Sequence, residues 1–332
     1  MIPNLWYAIA ESSEVGLNKP VAMKRAGEDL VFWRGSGSQL AVMRDRCPHR
    51  SASLSLGKVV EGNIQCPFHG FRFDTCGALT LAPANGRNGP KPAIFRCGVK
   101  VAREAHGFIW LWNGEPQAEY PPLPWFDNLE GFTWSTCKVP WQTDHTRAIE
   151  GMLDVSHLPF VHARTIGRGN RTLVNGPYTT LEDNKIRVWV TNQPDAGLPA
   201  AKPTELPPPN TPPGLMFNFP NVWQLVLGDK FRIALAAAPI DDENVMLYVR
   251  TCQGFTKNKL LGKLITRFSG RLNGRILRED QFVVGSQRPK KSGLDIGEQF
   301  IPADRPIALY LRHRRDLIRR HQDGQRIPEI AR

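Results

Sequence analysis

The chain has 332 residues, 41% of them hydrophobic, and a formal net charge of +12. That length accommodates two domains of ordinary size, and the hydrophobic fraction suffices for a core in each, which argues against a disordered chain. Six cysteines are too few for a disulfide scaffold, and the longest apolar runs are too short to cross a bilayer.

The first residues of the chain lack both a basic region and a sustained apolar stretch, so the sequence predicts no secretory signal. We therefore expect a cytoplasmic protein without a membrane partner. The basic residues are spread along the chain and are dense only at residues 312–320, so we also expect no nucleic acid partner.

Strand-like runs dominate the first part of the chain. Residues 29–33 and 40–43 flank a Gly-Ser turn and predict a β-hairpin, and residues 107–112 predict a further strand. A turn at Asn113-Gly114 and several prolines follow that strand. The sequence therefore predicts a first domain at residues 1–115 and a second at residues 116–332.

Two short arms of the first domain carry metal-ligand residues. They are Cys47-Pro48-His49 and Cys66-Pro67-Phe68-His69, with 16 residues between them. Each arm supplies one Cys and one His, so one iron can take both thiolates and a second iron both imidazoles, the mixed ligation of a Rieske [2Fe-2S] cluster. A tetrahedral zinc site can use the same ligands, although common zinc modules place both cysteines on one arm.

A second group of candidate ligands begins with Asp154, His157 and His162. A helix is predicted around residues 146–157, which would place Asp154 and His157 on one helical face. Pro159 cannot continue that helix, so we expect His162 beyond its end, where the chain can bend back toward the same point. Alone, this spacing is a weak motif.

Strands are predicted near residues 186–190, at 215–227 and 231–238, and at 245–251. Residues 194–213 contain eight prolines and little periodicity. This composition favours a long loop.

A long helix is predicted over residues 259–287, with Asp280 in its apolar stripe. The helical neighbours of this carboxylate are all apolar: Ile276, Leu277, Val283 and Val284. Burying an unpaired carboxylate is costly, so the pattern indicates a cation beside Asp280 or a neutral acid. The alternative is a buried Asp that caps unrelated backbone. Glu279 falls toward Arg275 and Arg278 and is predicted to be a surface residue.

Two histidines and one carboxylate on one face of an iron are the ligand set of non-haem Fe(II) oxygenases. We assign these ligands to His157, His162 and Asp280. Asp154 is predicted to lie beside the centre, where accepting a ring N–H would fix the tautomer of His157 or of a cluster histidine.

The chain closes with a predicted amphipathic helix. Its apolar residues recur at helical spacing: Ile307, Tyr310, Leu311, Leu317 and Ile318. The basic face at residues 312–320 is predicted to be solvated, and docking of an acidic electron donor is the alternative.

These two ligand sets, in this order, resemble the catalytic (alpha) subunit of Rieske non-haem iron oxygenases over essentially the whole chain. Residues 154–162 and 278–284 are similar to the monooxygenase and demethylase branch, which includes vanillate O-demethylase, dicamba O-demethylase and caffeine N-demethylase. The resemblance implies an α+β protein, with an N-terminal all-β Rieske domain followed by a catalytic domain in which helices flank an antiparallel β-sheet. It also implies a homotrimer in which the aspartate at the position of Asp154 links the cluster of one copy to the iron of the next. The family often has Asn at the position of Gly151, and the chain departs from it there.

The implied function is that of a terminal oxygenase component. With electrons from a Rieske [2Fe-2S] cluster, it would activate O2 at mononuclear Fe(II) to hydroxylate or oxidatively demethylate a small aromatic or heterocyclic substrate. No dinucleotide-binding fingerprint follows a predicted strand, so we expect a separate NAD(P)H-dependent reductase or ferredoxin. The alternatives are an aromatic ring cis-dihydroxylating dioxygenase, a Rieske-type electron carrier without oxygenase activity, and a zinc-dependent protein that binds nucleic acid.

Overall fold

The structure is a computed structural model that describes residues 1–325. Contacts among these residues define two compact units. The smaller unit comprises Trp6–Leu123 and Pro239–Asp241, and the larger unit comprises Met1–Leu5, Pro124–Ala238 and the residues from Asp242 onward. A division by contacts does not show where an independently folding domain ends. The predicted domain boundary after residue 115 therefore stays a prediction.

The smaller unit is built from short strands. They are β1 (Leu5–Glu11), β2 (Val21–Arg25), β3 (Glu28–Arg34), β4 (Leu40–Arg44), β5 (Lys58–Val60), β6 (Asn63–Gln65), β7 (Arg72–Phe73), β8 (Leu79–Leu81), β9 (Ala102–Ala105) and β10 (Phe108–Asn113). Three sheets result, in the orders β1-β10-β9, β2-β3-β4 and β5-β6-β7-β8. Strands β3 and β4 pair antiparallel with Val31 opposite Met43, so the predicted hairpin is confirmed.

One core cluster of this unit supports the two ligand arms. Trp33, Ile64 and Phe73 are fully buried in it, and Cys47 and Cys66 belong to the same cluster. The first arm follows β4, and the second connects β6 to β7. The sheets therefore fix both ends of the second arm and the start of the first.

The larger unit is built on a seven-stranded sheet. Its strands are β11 (Thr133–Trp141), β12 (Leu173–Glu182), β13 (Lys185–Gln193), β14 (Leu215–Asn218), β15 (Val222–Val226), β16 (Phe231–Asp241) and β17 (Asn244–Gln253), in the order β11-β17-β16-β15-β14-β13-β12. Neighbouring strands pair antiparallel, as in β11 with β17 and β12 with β13. Ile186 and Val188 alternate with less buried residues along β13, so one face of this strand enters the core. Residues 194–214 form the predicted long loop, with one 3-10 turn at Pro203–Glu205.

The helices of the larger unit are α1 (His145–Leu153), α2 (Leu158–Val161), α3 (Lys259–Val284) and α4 (Arg305–Gln325). Asp144 caps α1, and its carboxylate accepts the Thr146 backbone N–H at 2.8 Å. Helix α4 buries Ile307, Tyr310 and Leu311 in the core, which confirms the predicted amphipathic helix. None of the described helices combines the length and the apolar character that crossing a membrane requires.

The helix predicted through His157 ends earlier, at Leu153, so the expectation that Asp154 and His157 share a helical face is wrong. Asp154 is extended, and its Oδ1 accepts the backbone N–H of Ser156 at 2.7 Å and of His157 at 3.1 Å. A side chain that captures these N–H groups competes with the helical hydrogen bonds and stops the helix. Pro159 then lies in the first turn of α2, where its missing N–H has no cost.

Candidate metal centres

The structure brings together the four residues predicted to hold the cluster. Cys47 and Cys66 are each 2% exposed and lie in the same core cluster. The ring centroids of His49 and His69 are 4.7 Å apart. His69 is exposed, whereas the two sulfurs are not. The arms therefore present a buried thiol pair and an imidazole pair near the surface.

The backbone of the two arms is tightly organised. The Cys47 N–H donates to Ala52 O at 2.8 Å, and the Cys66 N–H donates to Phe71 O at 2.8 Å. Gly70 has a φ of +70°, a left-handed conformation that favours glycine. The Phe71 ring also stacks on His49 at a centroid distance of 4.5 Å. These contacts hold the second arm folded against the first.

The chemistry of this donor set fits an iron–sulfur cluster. The pKa of Cys47 is raised to about 11, mainly by burial and also by the neighbouring Cys66 thiol, against the lowering by the backbone N–H groups of His49 and Arg50. A nearby cation favours the thiolate form that metal binding requires. Two thiolates and two imidazoles are the ligands of a Rieske cluster.

Three other side chains converge in the larger unit, as predicted. The candidate ligand atoms of His157, His162 and Asp280 all lie within 4.8 Å of one another. Asp280 Oδ1 is 2.9 Å from His162 Nε2 and 3.5 Å from His157 Nε2. His157 directly precedes α2, His162 follows it, and Asp280 lies on α3.

The electrostatics of this second site also fit a cation. His162 is 2% and Asp280 7% exposed. Burial would lower the pKa of His162, but the carboxylates of Asp280 and Glu279 override it and raise that pKa above its ordinary value. Two imidazoles and a buried carboxylate with converging atoms suit Fe(II), because this donor set leaves other coordination positions open.

Glu279 contacts the second site, which the sequence did not predict, and its side chain is 24% exposed. Its Oε2 lies 2.8 Å from His162 Nδ1 and accepts the Thr165 hydroxyl hydrogen bond at 2.8 Å. The helical projection of α3 could not show this contact, because His162 is 117 residues away in sequence. A carboxylate at Nδ1 favours the tautomer whose Nε2 is free for a metal.

Asp154 organises the turn before His157. Besides the two backbone N–H groups, its Oδ1 accepts a hydrogen bond from the Ser156 hydroxyl at 2.9 Å. The distance from Asp154 Oδ1 to His157 Nδ1 is 3.5 Å, too long for a strong hydrogen bond. The predicted role of Asp154 in fixing a histidine tautomer therefore stays a prediction.

Gly151, where the family often has Asn, lies in α1 facing α3. A Cβ at this position would lie 3.3 Å from Val284 Cγ2, so a larger side chain would displace Val284 or the helix. A cavity of about 320 Å³ adjoins this region and reaches Asp154, His157 and Asp280. Arg147, Glu150 and Glu298 are among its polar lining residues.

Family models match one segment in each of the two parts of the chain. The family model of the Rieske [2Fe-2S] domain matches residues 5–102, and that of the vanillate O-demethylase oxygenase C-terminal domain matches residues 141–207. The chain is 34% identical over 169 residues to a vanillate O-demethylase oxygenase subunit of Pseudomonas sp. (strain HR199 / DSM 7063), covering 50% of this chain and 46% of that protein. It is 35% identical over 176 residues to chloroplastic chlorophyllide a oxygenase of Chlamydomonas reinhardtii, covering 50% of this chain and 25% of that protein.

Solved structures share the fold. NdmA of Pseudomonas putida CBB5 superposes with a TM-score of 0.77 at 23% identity, covering 96% of this chain and 92% of that chain. Dicamba monooxygenase bound to dicamba gives a TM-score of 0.75 at 19% identity, covering 97% of this chain and 99% of that chain.

The fold and the two donor sets define a protein with a Rieske cluster domain followed by a domain suited to mononuclear iron. The chain contains a Rieske [2Fe-2S] domain and a segment that matches the C-terminal domain of vanillate O-demethylase oxygenases, and the resemblance inferred from its sequence is confirmed. The Rieske match also decides between the cluster and the zinc site for the four ligands of the smaller unit. The chain spans between a quarter and about half the length of these curated relatives.

Proposed function

We propose that the chain is the terminal oxygenase component of a multi-component monooxygenase that hydroxylates or oxidatively demethylates a small aromatic or heterocyclic molecule. The observation that carries this proposal is the convergence of His157, His162 and Asp280 in a chain that also contains a Rieske domain. A pure electron carrier has no use for a second donor set built around a buried carboxylate.

Each set of side chains has a distinct task in this proposal. Cys47, Cys66, His49 and His69 would hold the cluster, and His157, His162 and Asp280 would hold the Fe(II). When bound, the cluster supplies single electrons and the Fe(II) supplies a site at which O2 is activated. Glu279 keeps the ring proton of His162 on Nδ1, and Asp154 holds the turn that presents His157.

Demethylation is the favoured outcome because relatives in sequence and structure include a vanillate O-demethylase subunit and dicamba monooxygenase. One O2, two electrons and two protons convert a methyl group on oxygen or nitrogen to a hydroxymethyl group and water. The hydroxymethyl product is a hemiacetal or hemiaminal. It breaks its C–O or C–N bond to release formaldehyde and the demethylated product.

The electrons must come from another protein in this proposal. An NAD(P)H-dependent reductase or a ferredoxin would deliver them to the cluster, where exposed His69 offers an imidazole edge at the surface. The family resemblance also supports a homotrimer in which the cluster of one copy serves the iron of the next. Sedimentation velocity on the purified chain tests this, and a stable monomer would contradict it.

The function is tested with a panel of methoxylated and N-methylated aromatic and heterocyclic compounds and a competent reductase. We expect O2 uptake and formaldehyde release in equal amounts with at least one compound. Formaldehyde-free products carrying two new hydroxyl groups would point to ring dihydroxylation instead. Colourless protein without acid-labile sulfide after anaerobic reconstitution would contradict the proposal.

A further inference from the structure

Helix α3 carries its large apolar side chains on the outside. Leu260, Leu264, Phe268 and Leu272 are 78%, 65%, 77% and 53% exposed. The residues that the same part of the helix buries are small or polar: Gly262, Thr266, Gly270, Asn273 and Gly274. A surface helix of a soluble protein ordinarily has the opposite arrangement.

The buried face of α3 explains why its side chains are small. A Cβ on Gly262 would lie 2.6 Å from Gln253 Nε2, and one on Gly274 would lie 3.2 Å from Cys137 Sγ. Asn273 Nδ2 donates to Thr251 Oγ1 at 2.7 Å. The helix thus packs closely on β11 and β17, which leaves the inner face no room for the leucines. The four large apolar side chains on the outer face of α3 therefore have no place in the core of the larger unit.

Cations accompany the exposed apolar side chains. Each of the four is directly preceded by a basic residue, in the pairs Lys259-Leu260, Lys263-Leu264, Arg267-Phe268 and Arg271-Leu272. All four basic residues are exposed. Consecutive helical residues are about 100° apart, so a row of cations runs beside the apolar row. The sequence from Phe255 to Arg278 contains no Asp or Glu.

We propose that these eight residues, the outer face of α3, bind the surface of a membrane that contains anionic lipids. A helix that lies in the membrane interface inserts Leu and Phe at the boundary of the acyl chains and directs Lys and Arg to the headgroups. Anionic headgroups attract such basic segments. Surface binding needs no membrane-spanning segment, and the expectation of no membrane partner rested on the lack of one.

Charge and apolar exposure together favour a membrane over two other partners. Two copies of the chain that met face to face through these eight residues would bring two rows of cations together. An acidic protein would match the cations, whereas a membrane interface takes up the cations and the four large apolar side chains together. Anionic lipid bilayers match both rows.

The proposal is tested by co-sedimentation of the full chain with lipid vesicles at low salt. We expect binding to vesicles of phosphatidylcholine and phosphatidylglycerol at about three to one, and binding roughly tenfold weaker or more to phosphatidylcholine alone. Leu264→Gln/Phe268→Gln should weaken binding to the anionic vesicles by roughly tenfold or more. The matched control Leu17→Gln/Ile94→Gln, at positions 62% and 84% exposed, should bind like the unaltered chain.

A second pair of variants distinguishes the effect of the cations on α3 from the effect of net charge. Arg267→Gln/Arg271→Gln should weaken vesicle binding, whereas Arg315→Gln/Arg319→Gln on α4, which removes the same charge, should do so much less. Circular dichroism and the cluster absorbance verify that each variant is folded. Three results would overturn the proposal: no binding to anionic vesicles, equal losses in variants and controls, or a change in molar mass on Leu264→Gln/Phe268→Gln, which would assign the face to a second copy.

Discussion

Glu279 and Asp280, adjacent on α3, contact the same imidazole at its two nitrogens. Glu279 Oε2 lies 2.8 Å from His162 Nδ1, and Asp280 Oδ1 lies 2.9 Å from His162 Nε2. The first contact fixes the ring proton, and the second places a carboxylate oxygen where both groups can reach one ion. Two consecutive residues of one helix thus set both the protonation and the geometry of a candidate ligand.

Replacing Glu279 should weaken metal binding at the second centre without altering the three ligands. We expect Glu279→Ala to lower Fe(II) affinity by roughly 10- to 100-fold, because His162 then loses the acceptor that fixes its tautomer. Glu279→Gln keeps an acceptor oxygen and should lose less. Titration against a competing chelator measures the affinity, with exposed Glu182→Ala as the control. Unchanged affinity in Glu279→Ala would contradict this role.

Asp280→Ala should abolish product formation while the Rieske cluster remains intact. The substitution removes the one carboxylate among the three converging ligands. Iron analysis should show the loss of the mononuclear iron, and the visible and electron paramagnetic resonance spectra of the cluster should be unchanged. Asp229→Ala, in an exposed turn of the same unit, is the control. Retained turnover would show that another acid is the ligand.

The two predicted roles of Asp154 can be separated by two substitutions. Asp154→Asn keeps an oxygen that can accept the N–H groups of Ser156 and His157, so we expect the second centre to retain its metal affinity. Its lost charge should slow electron transfer from cluster to iron, which single-turnover kinetics measures. Asp154→Ala removes the acceptor and should lower the metal affinity as well. Equal electron-transfer rates in Asp154→Asn and the unaltered chain would leave Asp154 a purely structural role.

The free energy of unfolding should depend on pH because of the buried carboxyl group of Glu150. Its pKa is raised to about 7, mainly by burial and also by Glu298, against the lowering by Arg147 Nη1, 2.8 Å away. A carboxyl whose pKa is raised by folding holds its proton longer in the folded chain, so its contribution to stability is lost as the pH rises from about 4.5 to about 7.

Glu150→Gln should therefore show a smaller decline in unfolding free energy over this pH range than the unaltered chain. Chemical denaturation at several pH values measures the difference, and exposed Glu182→Gln should behave like the unaltered chain. Parallel pH profiles for Glu150→Gln and the unaltered chain would mean that Glu150 is already ionised at pH 5.

Reduction by an acidic electron donor should slow as ionic strength rises. The net charge of +12 would steer such a donor, and salt screens this attraction. Stopped-flow reduction of the cluster at increasing salt measures the effect. Arg315→Gln/Arg319→Gln should reduce the salt dependence if the basic face of α4 is the docking surface. Rates that do not change with salt would exclude electrostatic steering.

Local patterns were sufficient to single out the candidate ligands. Cys47 and His49 lie in one loop, and Cys66 and His69 lie in another. The two candidate ligands of each arm are therefore close in space because they are close in sequence. Asp280 could be singled out because a carboxylate within an apolar helical stripe requires compensation. These signals need no knowledge of the distant parts of the fold.

Contacts across long sequence distances could not be predicted in the same way. Glu279 meets His162 only because α3 and the turn after α2 pack together, and helical periodicity instead placed Glu279 among neighbouring arginines. The end of α1 at Leu153 depended on which backbone N–H groups the Asp154 side chain would accept. Helical periodicity also could not show that Leu264 and Phe268 face outward. They do so because the close approach of α3 to the sheet requires glycine on the inner face of the helix.

The two segments that carry the converging ligands have no covalent link near the site. His157 and His162 flank a single turn of helix, and Asp280 lies on α3, more than a hundred residues after His162. An ion bound by all three would act as a cross-link that restrains the turn against α3. Chelation should therefore expose the following stretch, residues 163–172, to proteolytic cleavage, while iron loading should protect it.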